Sequence, residues 1–142
     1  MILKDIMTLG IKTISPNSTV QEVVEKMSEF NIGAIVVGSA ESIEGIFSER
    51  DLLKKVIAKD LSTEKTSIKD VMTTHVRTIN SSDSLQKALK IMKINNFRHL
   101  PVVDNYGYCV GLVGIRDLIK NLTDNLEKQN KALEKFINNK NS

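Results

Sequence analysis

A short stretch at residues 45–53 brings a hydroxyl, a guanidinium and a carboxylate close together in the sequence. It reads GIFSERDLL and contains Ser48, Arg50 and Asp51. An ionised carboxylate accepts enough hydrogen bonds to hold two neighbouring hydroxyls, so Asp51 could bind the 2′ and 3′ hydroxyls of a ribose. The Ser48 hydroxyl and the N–H groups of a helix's first turn could bind a phosphate, and Arg50 adds a permanently charged donor.

A purely structural interpretation of the same residues stays open. Ser-x-x-Asp at the start of a helix is close to a capping box, in which two side chains satisfy backbone N–H groups. An acid in the first turn also complements the helix dipole. The stretch is therefore either a phosphate-and-ribose site or a helix cap.

A second stretch, GLVGIRDLI, repeats the pattern with Gly114, Arg116 and Asp117, but without the hydroxyl. Glycine is an acceptable N-cap that supplies no side-chain acceptor. Either this site has lost a phosphate contact, or Gly114 lets a phosphate approach the backbone more closely while Arg116 supplies charge. Both alternatives predict two related but unequal sites.

The two stretches belong to a longer repeat. A shift of 65 residues places Lys4–Thr8 on Lys69–Thr73, and after one inserted residue Arg50–Leu52 falls on Arg116–Leu118. Self-similarity over this length indicates two tandem copies of one structural unit. Neither copy is long enough to bury a comfortable core alone, so we expect the two to pack together.

Each copy is predicted to run strand, helix, strand, strand, helix, which is a mixed α/β (α+β) fold. The helices are indicated by apolar residues at helical spacing, and their starts by Ser18 with Gln21 and by Asp83 with Gln86. Apolar runs separated by polar turns predict the strands at Thr13-Ile14, 33–37, 43–47, Thr78-Ile79, 99–103 and 108–113.

These patterns divide the chain into four parts. We predict a first unit over 1–60, a connector over 61–66, a second unit over 67–120 and a C-terminal helical extension over 121–142 with a frayed end. The extension is predicted because apolar residues recur at intervals of three, four or seven: Ile115, Ile119, Leu122, Leu126, Leu133 and Phe136.

Composition and the absence of certain motifs argue against several classes of protein. The net charge is only +3 and aromatic residues are 4% of the chain, which is weak support for nucleic-acid binding. No apolar run approaches the length of a membrane span, so we expect a cytoplasmic protein. The one cysteine, Cys109, excludes an internal disulfide. No metal-ligand spacing or catalytic motif occurs, so we expect no enzyme activity.

Two further motifs, NIGAIVV at 31–37 and NFRHLPVVD at 96–104, complete a resemblance to the cystathionine β-synthase (CBS) domain family. Residues 4 to 120 resemble a tandem CBS pair, often called a Bateman module. The resemblance implies two units packed about a pseudo-twofold axis, two clefts between them, and a disc-shaped homodimer. It implies a regulatory sensor that binds AMP, ADP, ATP or S-adenosylmethionine, and less often NAD or coenzyme A.

The resemblance also implies roles for individual residues. The positions that match the family's phosphate-binding Ser/Thr and ribose-binding Asp are Ser48 and Asp51. Arg98 is a candidate phosphate ligand because of its forked donors, and the neighbouring His99 is either a ligand or a structural histidine. The backbone around four strand residues is expected to surround the adenine, with two threonines near the ribose or base: Ile14, Ile35, Ile79, Leu100, Thr13 and Thr78. Pro101 completes the Arg98–Pro101 run.

The leading hypothesis is therefore a stand-alone sensor of an adenine nucleotide that regulates an unknown protein in trans. The alternative is a ligand-independent interaction module that uses the C-terminal helix for assembly. Nucleic-acid binding is the weakest hypothesis.

Overall fold

The first unit is a three-stranded sheet with one helix in its crossover. The computed structural model describes residues 2–140. Strand β2 (Thr13–Ile14) lies parallel to β3 (Ala34–Gly38), and β3 pairs antiparallel with β4 (Ile43–Ser48). Helix α1 (Val20–Phe30) connects β2 to β3. After β4 the chain enters α2 (Glu49–Asp51), which continues as a π-helical segment over Leu52–Ile57.

The second unit repeats this order. Strand β5 (Ile79–Asn80) lies parallel to β6 (His99–Val103), which pairs antiparallel with β7 (Cys109–Gly114). Helix α3 (Leu85–Asn95) connects β5 to β6, and α4 (Ile115–Lys140) follows β7. The predicted strand–helix–strand–strand–helix unit is confirmed in both copies, and Thr78 lies just before its strand.

The helix caps lie one residue later than predicted. Thr19 Oγ1 accepts a hydrogen bond from the Glu22 N–H at the start of α1, and Ser84 Oγ does the same for the Lys87 N–H at the start of α3. The predicted capping pairs, Ser18 with Gln21 and Asp83 with Gln86, are therefore wrong. The next residue in each polar run, Thr19 or Ser84, occupies the capping position instead.

Both crossover helices end at an asparagine with left-handed backbone. Asn31 has φ 53° and Asn96 has φ 56°, and the two are related by the 65-residue repeat. Asparagine tolerates this conformation better than most residues. The same chemistry thus turns the chain into β3 and into β6.

The two units exchange their opening segments. Each unit has its own hydrophobic core, but Leu3 is fully buried in the core of the second unit and its repeat counterpart Ile68 is fully buried in the core of the first. A short 3₁₀ turn holds each residue, over Leu3–Asp5 and Ile68–Asp70. The predicted boundaries 1–60 and 67–120 follow the repeat, whereas in space each unit is completed by a segment of the other.

The exchange extends into the sheets. Strand β1 (Thr8–Leu9) pairs antiparallel with β7 of the second unit, opposite Leu112 and Gly111. The repeat-related segment at Thr73 pairs with Ile46 of β4 in the first unit. The first unit therefore contributes a strand to the second unit's sheet, and the second unit contributes a single bridge to the first unit's sheet.

Helix α4 begins in the second unit and continues past it. Leu118 is buried in the second core, whereas every residue from 126 to 139 is exposed. The helical extension continues as far as Lys140. Fraying is predicted for residues 138–141; of these, 138–140 belong to the helix, and residues 141 and 142 lie outside the described residues. Among the described helices, none combines the length and the apolar character needed to cross a membrane.

Candidate ligand-binding cleft

A cleft of about 890 Å³ lies between the two units. The first unit contributes the turn into β3 and the start of α2, and the second unit contributes the turn into β6 and the start of α4. The repeat-related parts of the two units therefore face the same space. Of the predicted site residues, the cleft is lined by Ser48, Arg50, Asp51, Arg98, His99, Gly114, Arg116 and Asp117.

The Asp51 carboxylate is held by groups of the protein itself. Its Oδ2 accepts hydrogen bonds from the backbone N–H of Ser48 at 3.1 Å and from the Ser48 hydroxyl at 3.2 Å. The Ser48 Oγ in turn accepts from the Asp51 N–H, which completes a capping box. The Thr73 hydroxyl lies 3.3 Å from Oδ1, and Lys55 Nζ pairs with the same oxygen at 3.3 Å. The structural interpretation of Ser-x-x-Asp is thus realised inside the cleft.

The Asp117 carboxylate lies in a more open position. Asp117 is exposed, and among the described side chains none donates a hydrogen bond to it. Position 121, which the repeat relates to Lys55, holds an asparagine whose amide binds the Asp117 backbone carbonyl at 2.8 Å. The two carboxylates therefore differ: one is capped and paired, while the other is open to solvent.

A packing exchange explains why glycine replaces serine in the second copy. In the first sheet Ala34 lies opposite Ser48, and in the second sheet His99 lies opposite Gly114. A Cβ added at Gly114 would lie 3.3 Å from His99 Cδ2 and 3.5 Å from Nε2. A serine side chain at this position would therefore crowd the imidazole, which would have to shift by a few tenths of an ångström. The first unit pairs a small residue with serine, and the second pairs a large residue with glycine.

His99 lies at the meeting point of the two units. Its Nε2 is also 3.6 Å from the position that a Cβ would take at Gly33 of the first unit. Burial lowers the pKa of His99 from its ordinary value of 6.5, and the opposing attraction of the Asp117 and Glu49 carboxylates does not cancel this effect. The imidazole is therefore neutral near pH 7 and can both donate and accept a hydrogen bond.

The cleft is mixed in charge with a small cationic excess. Acidic residues come from both helix starts, as Glu49, Asp51 and Asp117. The cations lining it are Lys12, Arg50, Arg98 and Arg116. Arginine matches the geometry of phosphate oxygens, and carboxylates match sugar hydroxyls, so a ligand with both groups is complementary to these walls.

The remaining predicted residues lie outside this lining. Ile35, Ile79 and Leu100 are buried in the two hydrophobic cores, and Ile14 packs against the first core. Thr13 is half-buried on β2, Thr78 is exposed before β5, and Pro101 lines a separate small pocket of about 30 Å³ beside His99. The expectation that backbone groups of these strand residues surround an adenine stays a prediction.

The sequence patterns did not predict that Lys55 and Thr73 contact the Asp51 carboxylate. Lys55 stands four residues after Asp51, a spacing at which opposite charges meet on a helix, so this pair could have been found. Thr73 could not, because it reaches Asp51 only through the exchange of segments between units. Among the described residues no cluster of three or more metal-binding side chains occurs. Cys109 is buried, and burial raises the pKa of its thiol.

Comparisons with known proteins agree with this architecture. The chain is 34% identical to the CBS domain-containing protein YhcV of Bacillus subtilis over 87% of its own length and 86% of that protein. A signal-transduction protein with CBS domains from Burkholderia ambifaria, described as putative, is 35% identical with a TM-score of 0.75, over 80% of this chain and 82% of the other.

A third relative was solved with ligands. The CBS domain pair of the protein MJ0100, in complex with 5′-methylthioadenosine and S-adenosyl-L-methionine, superposes with a TM-score of 0.79 over 88% of this chain and 98% of that one. At 24% identity this likeness concerns the fold. The CBS domain model matches twice, over residues 3–58 and 68–124, so the chain belongs to the CBS domain family as a tandem pair.

Proposed function

We propose that the cleft binds an adenosine-containing ligand, with AMP, ADP and ATP as the first candidates. One observation carries the proposal: two repeat-related Arg-Asp pairs, each in the first turn of a helix, face one cleft between the units. The aspartates are suited to ribose hydroxyls, and Arg50, Arg98 and Arg116 to phosphates. CBS pairs are regulatory ligand-binding modules, which supports a binding role over catalysis.

The proposed consequence of binding is a change in how the two units are oriented. A ligand that contacts both walls has different affinity for different orientations, and only such a difference transmits a signal. The start of α4 lines the cleft, and the π-helical segment directly follows α2, which also lines it, so both would move with their units. We propose that a protein regulated in trans reads this movement.

A second candidate function is a ligand-independent interaction module. It is favoured by the state of Asp51, whose oxygens are already engaged by Ser48, Thr73 and Lys55. A carboxylate used as a helix cap does not require a ligand. This candidate predicts that no adenosine compound raises the melting temperature, and that deletion of residues 123–142 abolishes self-association.

Calorimetric titration with AMP, ADP and ATP separates the two candidates. We expect binding of at least one nucleotide, and weaker binding of its 2′,3′-dideoxy form. Asp117→Asn should weaken binding about tenfold or more, since a hydrogen bond to a charged group contributes about 1.5–3 kcal/mol. Asp51→Asn should have a similar effect while keeping an acceptor for the Ser48 N–H.

The matched control is Asp124→Asn, the same substitution on an exposed turn of α4 outside the cleft. This control variant should bind each nucleotide with the same affinity as the wild type. Titration with S-adenosylmethionine, NAD and coenzyme A tests the other adenosine compounds with the same variants. Absence of heat with every compound would reject the ligand-binding proposal and favour the interaction module.

We also propose that the chain forms a homodimer, which the family resemblance implies. Exposed apolar residues on the helices that follow β4 and β7 support it, at Leu53, Ile57 and Ile119. Leu53 and Ile119 are related by the repeat, so a partner would meet similar surfaces on both units. Sedimentation equilibrium measures the assembly, and a monomer at micromolar concentration would contradict the proposal.

A further inference from the structure

Helix α4 carries an apolar stripe that continues after the helix has left the second unit. The apolar residues of the stripe are Leu122, Leu126, Leu133 and Phe136, and the polar Gln129 interrupts it; together these positions alternate at intervals of three and four residues. This is the spacing of a seven-residue coiled-coil repeat. Leu126 is 52% exposed and Leu133 58% exposed, although both follow the buried Leu118 along the same side of the helix, about two turns and about four turns later.

The exposed part of α4 is too short to be stable by itself. Every residue from 126 to 139 is exposed, and an isolated helix of about 12–15 residues is marginal in water even with the best sequences. Most helical stability comes from covering an apolar face. Because α4 stays helical as far as Lys140, we expect the surface of another molecule to cover the stripe.

The charge pattern identifies a second α4 as that surface. All six charged residues between 123 and 139 lie on the face away from the stripe: Asp124, Glu127, Lys128, Lys131, Glu134 and Lys135. The positions that flank the stripe are uncharged: Thr123, Asn125, Asn130, Ala132, Ile137 and Asn139. Two copies of this helix meet without repulsion between like charges, since neither flank carries any.

The same pattern disfavours other occupants. The outer face has three acidic and three basic residues, so it lacks the basic excess of helices that lie on anionic membranes. It also lacks the cationic face that nucleic acid requires. An oppositely charged protein partner would find no charge beside the stripe to pair with.

The position of the second unit determines the direction of pairing. Ile115 and Leu118 point from the stripe face of α4 into the second core. A parallel partner would have to run through the space that this core occupies. An antiparallel partner places the two domains at opposite ends and covers the stripe from Leu122 onward.

We propose that α4 pairs antiparallel with α4 of a second copy of this chain. In the register that begins at Leu122, Leu126 lies opposite the second copy's Phe136 and Gln129 opposite its Leu133. This contact is independent of ligand binding in the cleft, so either proposal can fail while the other holds.

Cysteine cross-linking tests the pairing and its direction. In a Cys109→Ala background, Leu126→Cys with Phe136→Cys should give a disulfide-linked dimer under mild oxidation, while each single variant should not. The two sites are about 15 Å apart along one helix, so they cannot join within one chain. Cross-linking of either single variant, or none in the double variant, would overturn the antiparallel pair.

A charge substitution gives a second readout. Leu126→Asp with Leu133→Asp should lower the mass measured by sedimentation, because the α4 contact is lost, and should lower the helical circular dichroism signal as the exposed part of α4 unfolds. The matched control, Lys128→Gln with Lys131→Gln, lowers the net charge by the same amount on the outer face and should change neither the mass nor the helical signal. Unchanged mass and helicity in the aspartate variant would contradict the proposal.

Discussion

At the residue scale, the difference between Ser48 and Gly114 is one half of a paired exchange. The first unit has Ala34 beside a capping serine, and the second has His99 beside a glycine. The sequence shows both differences, but not that they compensate, because the strands that carry them are brought into register only in the folded sheet.

The exchange predicts strong coupling between positions 99 and 114. Gly114→Ser should destabilise the protein by about 1–3 kcal/mol, because its Cβ meets the imidazole. Adding His99→Ala recreates the pair of the first unit and should recover at least half of that loss. Urea denaturation of the two single variants and the double variant measures the coupling, and simple additivity would disprove the packing explanation.

His99 also predicts a pH dependence of stability. Because burial lowers its pKa in the folded state, the unfolded chain binds more protons below pH 6.5. The stability that the neutral imidazole contributes is complete above pH 6.5 and is lost as the pH falls toward its lowered folded pKa. Between about pH 7.5 and about pH 5, the wild type should lose more stability than His99→Asn. Equal losses in parallel urea titrations would rule this out.

At the element scale, the first glycine of GIFSERDLL marks a crossing of two segments. A Cβ at Gly45 would lie 2.9 Å from the Thr73 carbonyl oxygen, closer than a side chain can approach a backbone atom. Gly45 is therefore needed where the segment that leads into the second unit crosses β4. Gly111 is its repeat counterpart, at the place where β1 pairs with β7.

We expect Gly45→Ala to lower the free energy of unfolding by about 1–3 kcal/mol, since the crossing segment must shift. The matched control is Gly33→Ala, whose added Cβ would make only ordinary contacts at 3.6 Å or more. Chemical denaturation compares the two. Equal effects would show that lost backbone flexibility, and not the crossing, explains the result.

The order of the elements could be predicted from the sequence, and their exchange could not. Apolar spacing marks α1 and α3, and the polar turns mark the strands, because these signals depend on neighbours within a few residues. Leu3 gives no local sign that it is buried in the core containing Leu100. Pairing between distant segments depends on the whole fold. For the same reason the contact between Thr73 and Asp51 could not be predicted from the sequence.

At the scale of the whole molecule, the two units should unfold together. Leu3 and β1 belong to the first repeat but complete the second unit, and Ile68 does the reverse. Loss of either unit would remove part of the other's core. The connector is therefore not a flexible joint between two independent domains.

Leu3→Ala tests this interdependence. It should destabilise the protein by about 2–5 kcal/mol, because Leu3 is fully buried in the second core. Both tyrosines, Tyr106 and Tyr108, lie in the second unit, so their fluorescence reports that unit while circular dichroism reports both. The two probes should give one coincident transition in the wild type and in the variant. Separate transitions would show that the units unfold independently.

The reciprocal burial of Leu3 and Ile68 also bears on ancestry. It is the arrangement that two separate copies of a single unit would adopt after trading their first turns, with residues 61–66 added later to join them. On this view, the two units associated with each other before a covalent connector joined them. Halves 1–60 and 67–142, made from separate genes, are expected to copurify as a complex, and failure to do so would argue against an origin from a one-unit homodimer.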